Sequence, residues 1–164
     1  GANAIQVDQP IHRADANNAL AIDALAIDGN AQVALLDSPM GTFDDASVMR
    51  WLGSPHAALR EKAKLELVSR GFDGTAIAIA TRIFTGDRNQ KLELVDALTS
   101  TSVLEPRPWL LLLLQDADRE VRLRTISSLG SMDDPAIAAS LQTHLVDERD
   151  PAVASRIRRV LNLR

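Results

Sequence analysis

The sequence has no cysteine and no tyrosine. Without cysteine there is no disulfide, no thiolate metal site and no thiol nucleophile. Its absence leaves the compartment open, because exported and cytoplasmic proteins can both lack it. Aromatic residues make up only 3% of the chain, so Ala, Leu and Ile must fill the interior, which suits closely packed helices better than a β-sandwich. Long apolar runs are also missing. The longest, Trp109–Leu114, has six residues, against about 20 for a membrane-spanning helix. Nor is there a basic surplus. The formal net charge is −4. Residues 1–50 set seven aspartates against Arg13 and Arg50, for −5, and residues 51–164 balance at +1. A sequence-independent nucleic-acid binder carries a clear excess of Lys and Arg, so nucleic acid is not the expected partner.

Motifs for chemistry are missing as well. The eight glycines are scattered and form no phosphate loop, and Gly-x-Ser-x-Gly does not occur. His12, His56 and His144 are far apart in sequence, with no metal-binding i, i+4 pair, and His56 reads as a solvated residue at a helix start. Carboxylates cluster at Asp44-Asp45, at Asp133-Asp134 and at Asp147, Glu148 and Asp150. Such groups can serve glycoside hydrolysis or hold Ca²⁺. Each here precedes a predicted helix, where acids satisfy free N–H groups and the helix dipole. The expectation is a protein without a catalytic site, cofactor or metal.

What is present is a period. In a chain of 164 residues, 46% of them apolar, enough material exists for one sizeable core. Leu36, Leu67, Leu98 and Leu129 recur every 31 residues, with Leu161 following 32 later. Two further columns, Val48, Ile79, Leu110, Leu141 and Leu52, Ile83, Leu114, Leu145, keep the same step. Each period holds two helical patterns. The first is typified by Leu59, Ala63 and Leu67 at i, i+4, i+8, and the second by Ile137, Leu141 and Leu145. Gly71 and Gly130 follow first helices, where a terminal glycine takes positive φ without strain. Asp134-Pro135 and Asp150-Pro151 read as a cap followed by proline in the first turn. The pattern predicts helices near 15–27, 30–37, 45–52, 56–70, 74–85, 89–99, 106–115, 119–129, 134–146 and 151–161. The fold class is therefore all-α, an α-α superhelix of about four to five two-helix repeats. A lone pair of helices cannot bury its own apolar stripe, and stacked pairs supply each other's interior.

Residues 1–14 read as a flexible tether and 15–164 as a single repeat domain. The chain opens on Gly1 rather than Met, from which we expect a preceding segment, such as a leader, an anchor or another domain, to have been removed. The compartment is not readable.

Across residues 111–145, Asp116, Asp118, Val121, Arg122, Leu129, Gly130, Asp134 and Pro135 follow one another in a way that resembles the short HEAT-like repeat also found in phycobilisome lyases. The next unit begins similarly with Asp147, Asp150, Pro151 and Val153, but has Ala154 where the family usually has Arg. Earlier units are more degenerate: Gln90 replaces an apolar residue, and Ser54-Pro55 replaces the Asp pair. The resemblance implies an α-solenoid that binds another macromolecule. It does not imply lyase chemistry, since one fold hosts many functions. It also implies structural roles for Asp118, as a cap, and for Arg122, reaching a neighbouring carboxylate. Some DNA glycosylases use such repeats, and Arg156, Arg158, Arg159 and Arg164 invite a phosphate-binding reading. The nine acids and nine bases of residues 101–164 favour a solvated terminal helix instead.

In this architecture second helices line the concave face. The ladder positions between their core residues give the expected partner-binding set: Arg50, Trp51, Arg82, Trp109, Leu112, Leu113 and His144. Ser140 and Thr143 stand on the same ladders. The middle rung is apolar all round, so it is either buried or an exposed patch rimmed by Arg50 and Arg82, suited to a protein partner. The leading expectation is a non-catalytic protein-interaction scaffold. The alternatives are a nucleic-acid-binding module and a repeat appendage of a larger enzyme.

Overall fold

A computed structural model describes residues 39–102 and 105–162, and the chain divides into two compact units, Gly1–Phe72 and Asp73–Arg164. Among the described residues there are eight α-helices, two short 3-10 turns and no strand. The tether expected over 1–14, the helices expected at 15–27 and 30–37, and Leu36 lie outside the described residues.

In the first unit a 3-10 turn, Met40–Thr42, precedes α1, Asp45–Arg50. Asp44 caps α1 by accepting from the Ser47 N–H at 2.7 Å. The helix expected to reach residue 52 stops at Arg50, and the chain tightens into a 3-10 turn, Trp51–Gly53. Next comes α2, Ala57–Ser69, which buries Leu59, Ala63 and Leu67, the predicted stripe. Gly71, at φ 91°, closes α2, with the Phe72 N–H returning to the Leu67 carbonyl at 3.0 Å and the Gly71 N–H to Val68. This double bond pattern satisfies end carbonyls that would otherwise lack donors. Arg70 ties the unit together, donating to Asp45, Glu66 and the Met40 carbonyl. The bond to Asp45, with the Glu66 pair behind it, raises its guanidinium above the ordinary value.

The second unit runs α3 (Gly74–Thr85), α4 (Arg88–Ser100), α5 (Arg107–Leu113), α6 (Arg119–Gly130), α7 (Pro135–Asp147) and α8 (Pro151–Asn162). By the sequence period α4, α6 and α8 are first helices, and α3, α5 and α7 second helices. Successive first helices pack on one another, α4 on α6 and α6 on α8. The core carries the periodic columns: Leu98, Leu129, Leu110, Leu141, Ile83 and Leu114 are buried, with Leu145 and Leu161 partly buried against them. Each fully buried leucine contributes about 1.5–3 kcal/mol relative to exposure. Another column changes along the array. Val95 and Ile126 are fully buried where a further first helix packs on α4 and α6, whereas the equivalent Arg158 on α8 is exposed.

Polar joints repeat with the same period. Arg122 donates from Nη1 to the Asp116 and Ala117 carbonyls, and Arg60, two periods earlier, does the same to Ser54 and Pro55. Asp116 and Glu148 each accept the N–H two residues on, at 2.9 and 2.8 Å, and Ser54 does so through its hydroxyl. Each carboxylate also receives a cation from the preceding first helix: Lys91 to Asp116 at 2.6 Å, Arg122 to Glu148 at 3.0 Å. The departures from the family pattern thus have local reasons. Ser54 replaces the acid as acceptor, and Gln90 closes a reciprocal capping box with Asp87. Asp118, Asp134 and Asp150 cap α6, α7 and α8 as their positions predict. Gly130 is a correction. It ends α6 without positive φ, and a Cβ there would lie 3.0 Å from Val160 of α8. It is needed for close helix approach rather than for a left-handed cap.

Candidate functional site

The second helices α5 and α7 flank a cleft of about 630 Å³ in the second unit. From α5 and the turn beyond it come Leu111, Leu114, Gln115 and Asp116, and from α7 come Ser140, Thr143, His144 and Asp147. The α7 residues fall at i, i+3, i+4 and i+7, one face of a helix. Arg122 and Glu148 complete the lining.

A polar network secures this lining. Glu148 Oε2 lies 3.1 Å from His144 Nε2 and 3.0 Å from Arg122 Nε, and Oε1 accepts the Asp150 N–H and Arg122 Nη2. Burial alone would raise the Glu148 carboxyl. The bonds from Asp150, His144 and Arg122 outweigh burial and hold it below its ordinary value. An ionised Glu148 accepts only, which places a proton on His144 Nε2. On the neighbouring turn, burial likewise works to raise Asp118, and the Arg88 guanidinium with the Val121 and Glu120 N–H groups lowers it. These anions are already partnered, so the arrangement is one of rigid joints rather than a poised acid or base. Among the described residues no group of three or more His, Asp and Glu side chains is placed to hold a metal ion, and no helix is long and apolar enough to cross a membrane.

The expected partner-binding residues divide. His144, half-buried, lines the cleft, and Arg82 is exposed on α3, paired with Glu93 at 3.0 Å. Trp109 and Leu112 are half-buried against the core, so the apolar rung is neither fully covered nor an open patch. Two side chains that the sequence places outward are buried instead. Leu113 is fully buried because it joins Leu110 and Leu114 at i, i+3, i+4, whereas its equivalents are exposed Arg82 on α3 and half-buried His144 on α7. Trp51, where α1 gives way to the 3-10 turn, is buried. Its ring lies edge-to-face with Phe43, centroids 4.7 Å apart. Arg50 is exposed at the end of α1; it and Trp51 belong to the first unit.

Sequence reasoning missed Leu111, Gln115 and Asp147 as cleft residues, and saw Arg122 and Glu148 only as structural or capping groups. The α7 face was legible from Ser140, Thr143 and His144. Extending that ladder one turn reaches Asp147.

A family model for HEAT repeats matches residues 77–162 of the chain. The match is to the repeat class and does not single out the phycobilisome-lyase subtype. No match to a curated protein and none to a solved structure reaches significance.

Proposed function

The chain belongs to the HEAT-repeat family, and we propose that it is a non-catalytic protein-interaction scaffold whose partner lies on the second-helix face. HEAT repeats generally mediate protein–protein interactions and are typically non-catalytic. The observation that carries the reading to this face is the cleft between α5 and α7. Its walls mix apolar Leu111 and Leu114 with Gln115, Ser140, Thr143 and His144 and with the charged Asp116, Arg122, Asp147 and Glu148, and a partly apolar surface with polar groups among it is what non-obligate protein interfaces present. The half-buried Trp109 on α5, beside Leu112, and the exposed Arg82 on α3 belong to the same series of helices, and Trp and Arg are the types enriched at binding hot spots. Nucleic acid is disfavoured by the charge balance of the second unit's sequence.

The test is quantitative partner capture by the full chain and by Trp109→Ala, Arg82→Glu and Thr143→Arg variants, each checked for unchanged helicity by circular dichroism. Thr143→Arg places a long cation in the cleft and is expected to weaken capture most. Retention of the same partner at the same strength by all three variants would show that the face is wrongly assigned.

A further inference from the structure

A separate surface of the second unit, on its first helices, carries an inference independent of the second-helix face. A groove of about 510 Å³ crosses α4, α6 and α8. Its floor is Leu92 and Leu123, half-buried and equivalent in successive repeats, and arginines stand along it at Arg88, Arg124 and Arg156. The first two are matched by acids, Arg88 by Asp118 at 2.6 Å and Arg124 by Asp96 at 2.7 Å. Among the described residues no acid pairs with Arg156, whose Nη1 donates to the neutral Ser127 hydroxyl at 2.6 Å. Arg158 and Arg159 beside it are exposed, and residues 151–164 contain no acid. Positive charge therefore accumulates at the α8 end of an otherwise balanced groove.

We propose that this groove takes an extended acidic peptide segment, with an apolar side chain at every third position and a carboxylate beside it. The spacing follows from the repeat. First helices pack about 8–10 Å apart, and a peptide extended as polyproline II rises about 3.1 Å per residue with three residues per turn, so three residues carry it from one helix to the next and return the side chain to the same face. Apolar side chains in that register meet Leu92 and Leu123, and the carboxylates meet Arg156 and Arg159 at the cationic end. A polyphosphate strand fits less well. Asp96 and Glu120 line the same groove and repel a continuous run of phosphates, and a phosphate backbone gains nothing from a leucine floor.

The experiment is fluorescence anisotropy of the full chain with a labelled peptide repeating Val-Asp-Thr four times. The comparators are Ser-Asp-Thr and Val-Lys-Thr repeats and a mixed-sequence DNA duplex. The Val-Asp-Thr peptide is expected to bind saturably, to weaken with added salt, and to lose affinity about tenfold in an Arg156→Glu/Arg159→Glu variant of unchanged helicity. The Ser-Asp-Thr peptide is expected to bind at least about fivefold more weakly, because it leaves the leucine floor unfilled. The peptide comparison uses the native protein, so it decides the matter even if the variant misfolds. The proposal is overturned by any of three results: no saturable binding, equal affinity for the valine-free repeat, or tighter binding of the duplex.

Discussion

Arg122 and Arg124 lie on the same helix, and each pairs with a carboxylate of an adjacent repeat, yet their truncation should differ severalfold in effect. Arg122 and Glu148 keep only 14% and 5% of their side-chain surface exposed, while Arg124 and Asp96 keep 55% and 52%. Removing one partner of a buried pair strands the other charge, at about 3–5 kcal/mol. In Arg122→Ala the stranded Glu148 keeps its contacts with His144 and the Asp150 N–H, which softens the loss, but the Asp116 and Ala117 carbonyls lose their guanidinium donor. The balance is a destabilisation of about 2–4 kcal/mol. Arg124→Ala breaks a solvent-screened pair and should cost less than about 1 kcal/mol. Arg122→Lys restores the charge without the planar fork and should fall between. Urea denaturation followed by circular dichroism measures all three. Equal midpoint shifts for Arg122→Ala and Arg124→Ala would refute the claim that the Arg122 joint holds α6 to the segment leading into α8.

Acid should act on the same joint. The folded carboxyls of Glu148 and Asp118 sit below their ordinary values of 4.5 and 3.8. Depressed carboxyls contribute stability that is fully present above the unfolded-state value and lost as pH falls through the folded one. Stability should thus decline below about pH 4.5, and Glu148→Gln should flatten part of that decline in a series of melts against pH. Gly130→Ala gains helix propensity of about 1 kcal/mol but sets a methyl 3.0 Å from Val160, for a net loss. In a Val160→Ala background the same change should become stabilising, and a thermal double-mutant cycle that shows no such reversal would sink the close-approach account. Gly71→Ala meets open space, so its expected loss of about 1–2 kcal/mol comes from φ 91° alone.

The helices were legible because their signals are local and redundant. The helix predicted over 74–85 is found as Gly74–Thr85, and Asp134-Pro135 and Asp150-Pro151 open α7 and α8 as written. Repetition made the core legible too, since one column constrains several helices at once. The misplacements occur where a residue departs from ideal helical phase or depends on a distant neighbour. Nothing near Trp51 in the sequence announces that α1 will tighten into a 3-10 turn there or that the indole will be buried. Leu113 is as apolar as the residues around it, so a ladder count could not tell which leucines of a uniformly apolar helix face the core. Gly130 matches a cap signature, and only the approach of Val160, 30 residues on, gives its other purpose. The cleft was half legible: its α7 wall follows from helical spacing, whereas Glu148 becomes part of it only because Arg122 and His144 converge there.

The linkage of Lys91 to Asp116 and that of Arg122 to Glu148 are the same joint, made once with an ammonium and a shorter acid and once with a guanidinium and a longer one. A coupling that reads the same at both ends of a unit does not register how many units lie between. Copying one 31-residue stretch within the second unit would present each new helix pair with a ready-made socket in front and a ready-made plug behind. The length of the array is thereby free to change by whole repeats, and the two joints, spanning 25 and 26 residues, already absorb a difference of one residue between them.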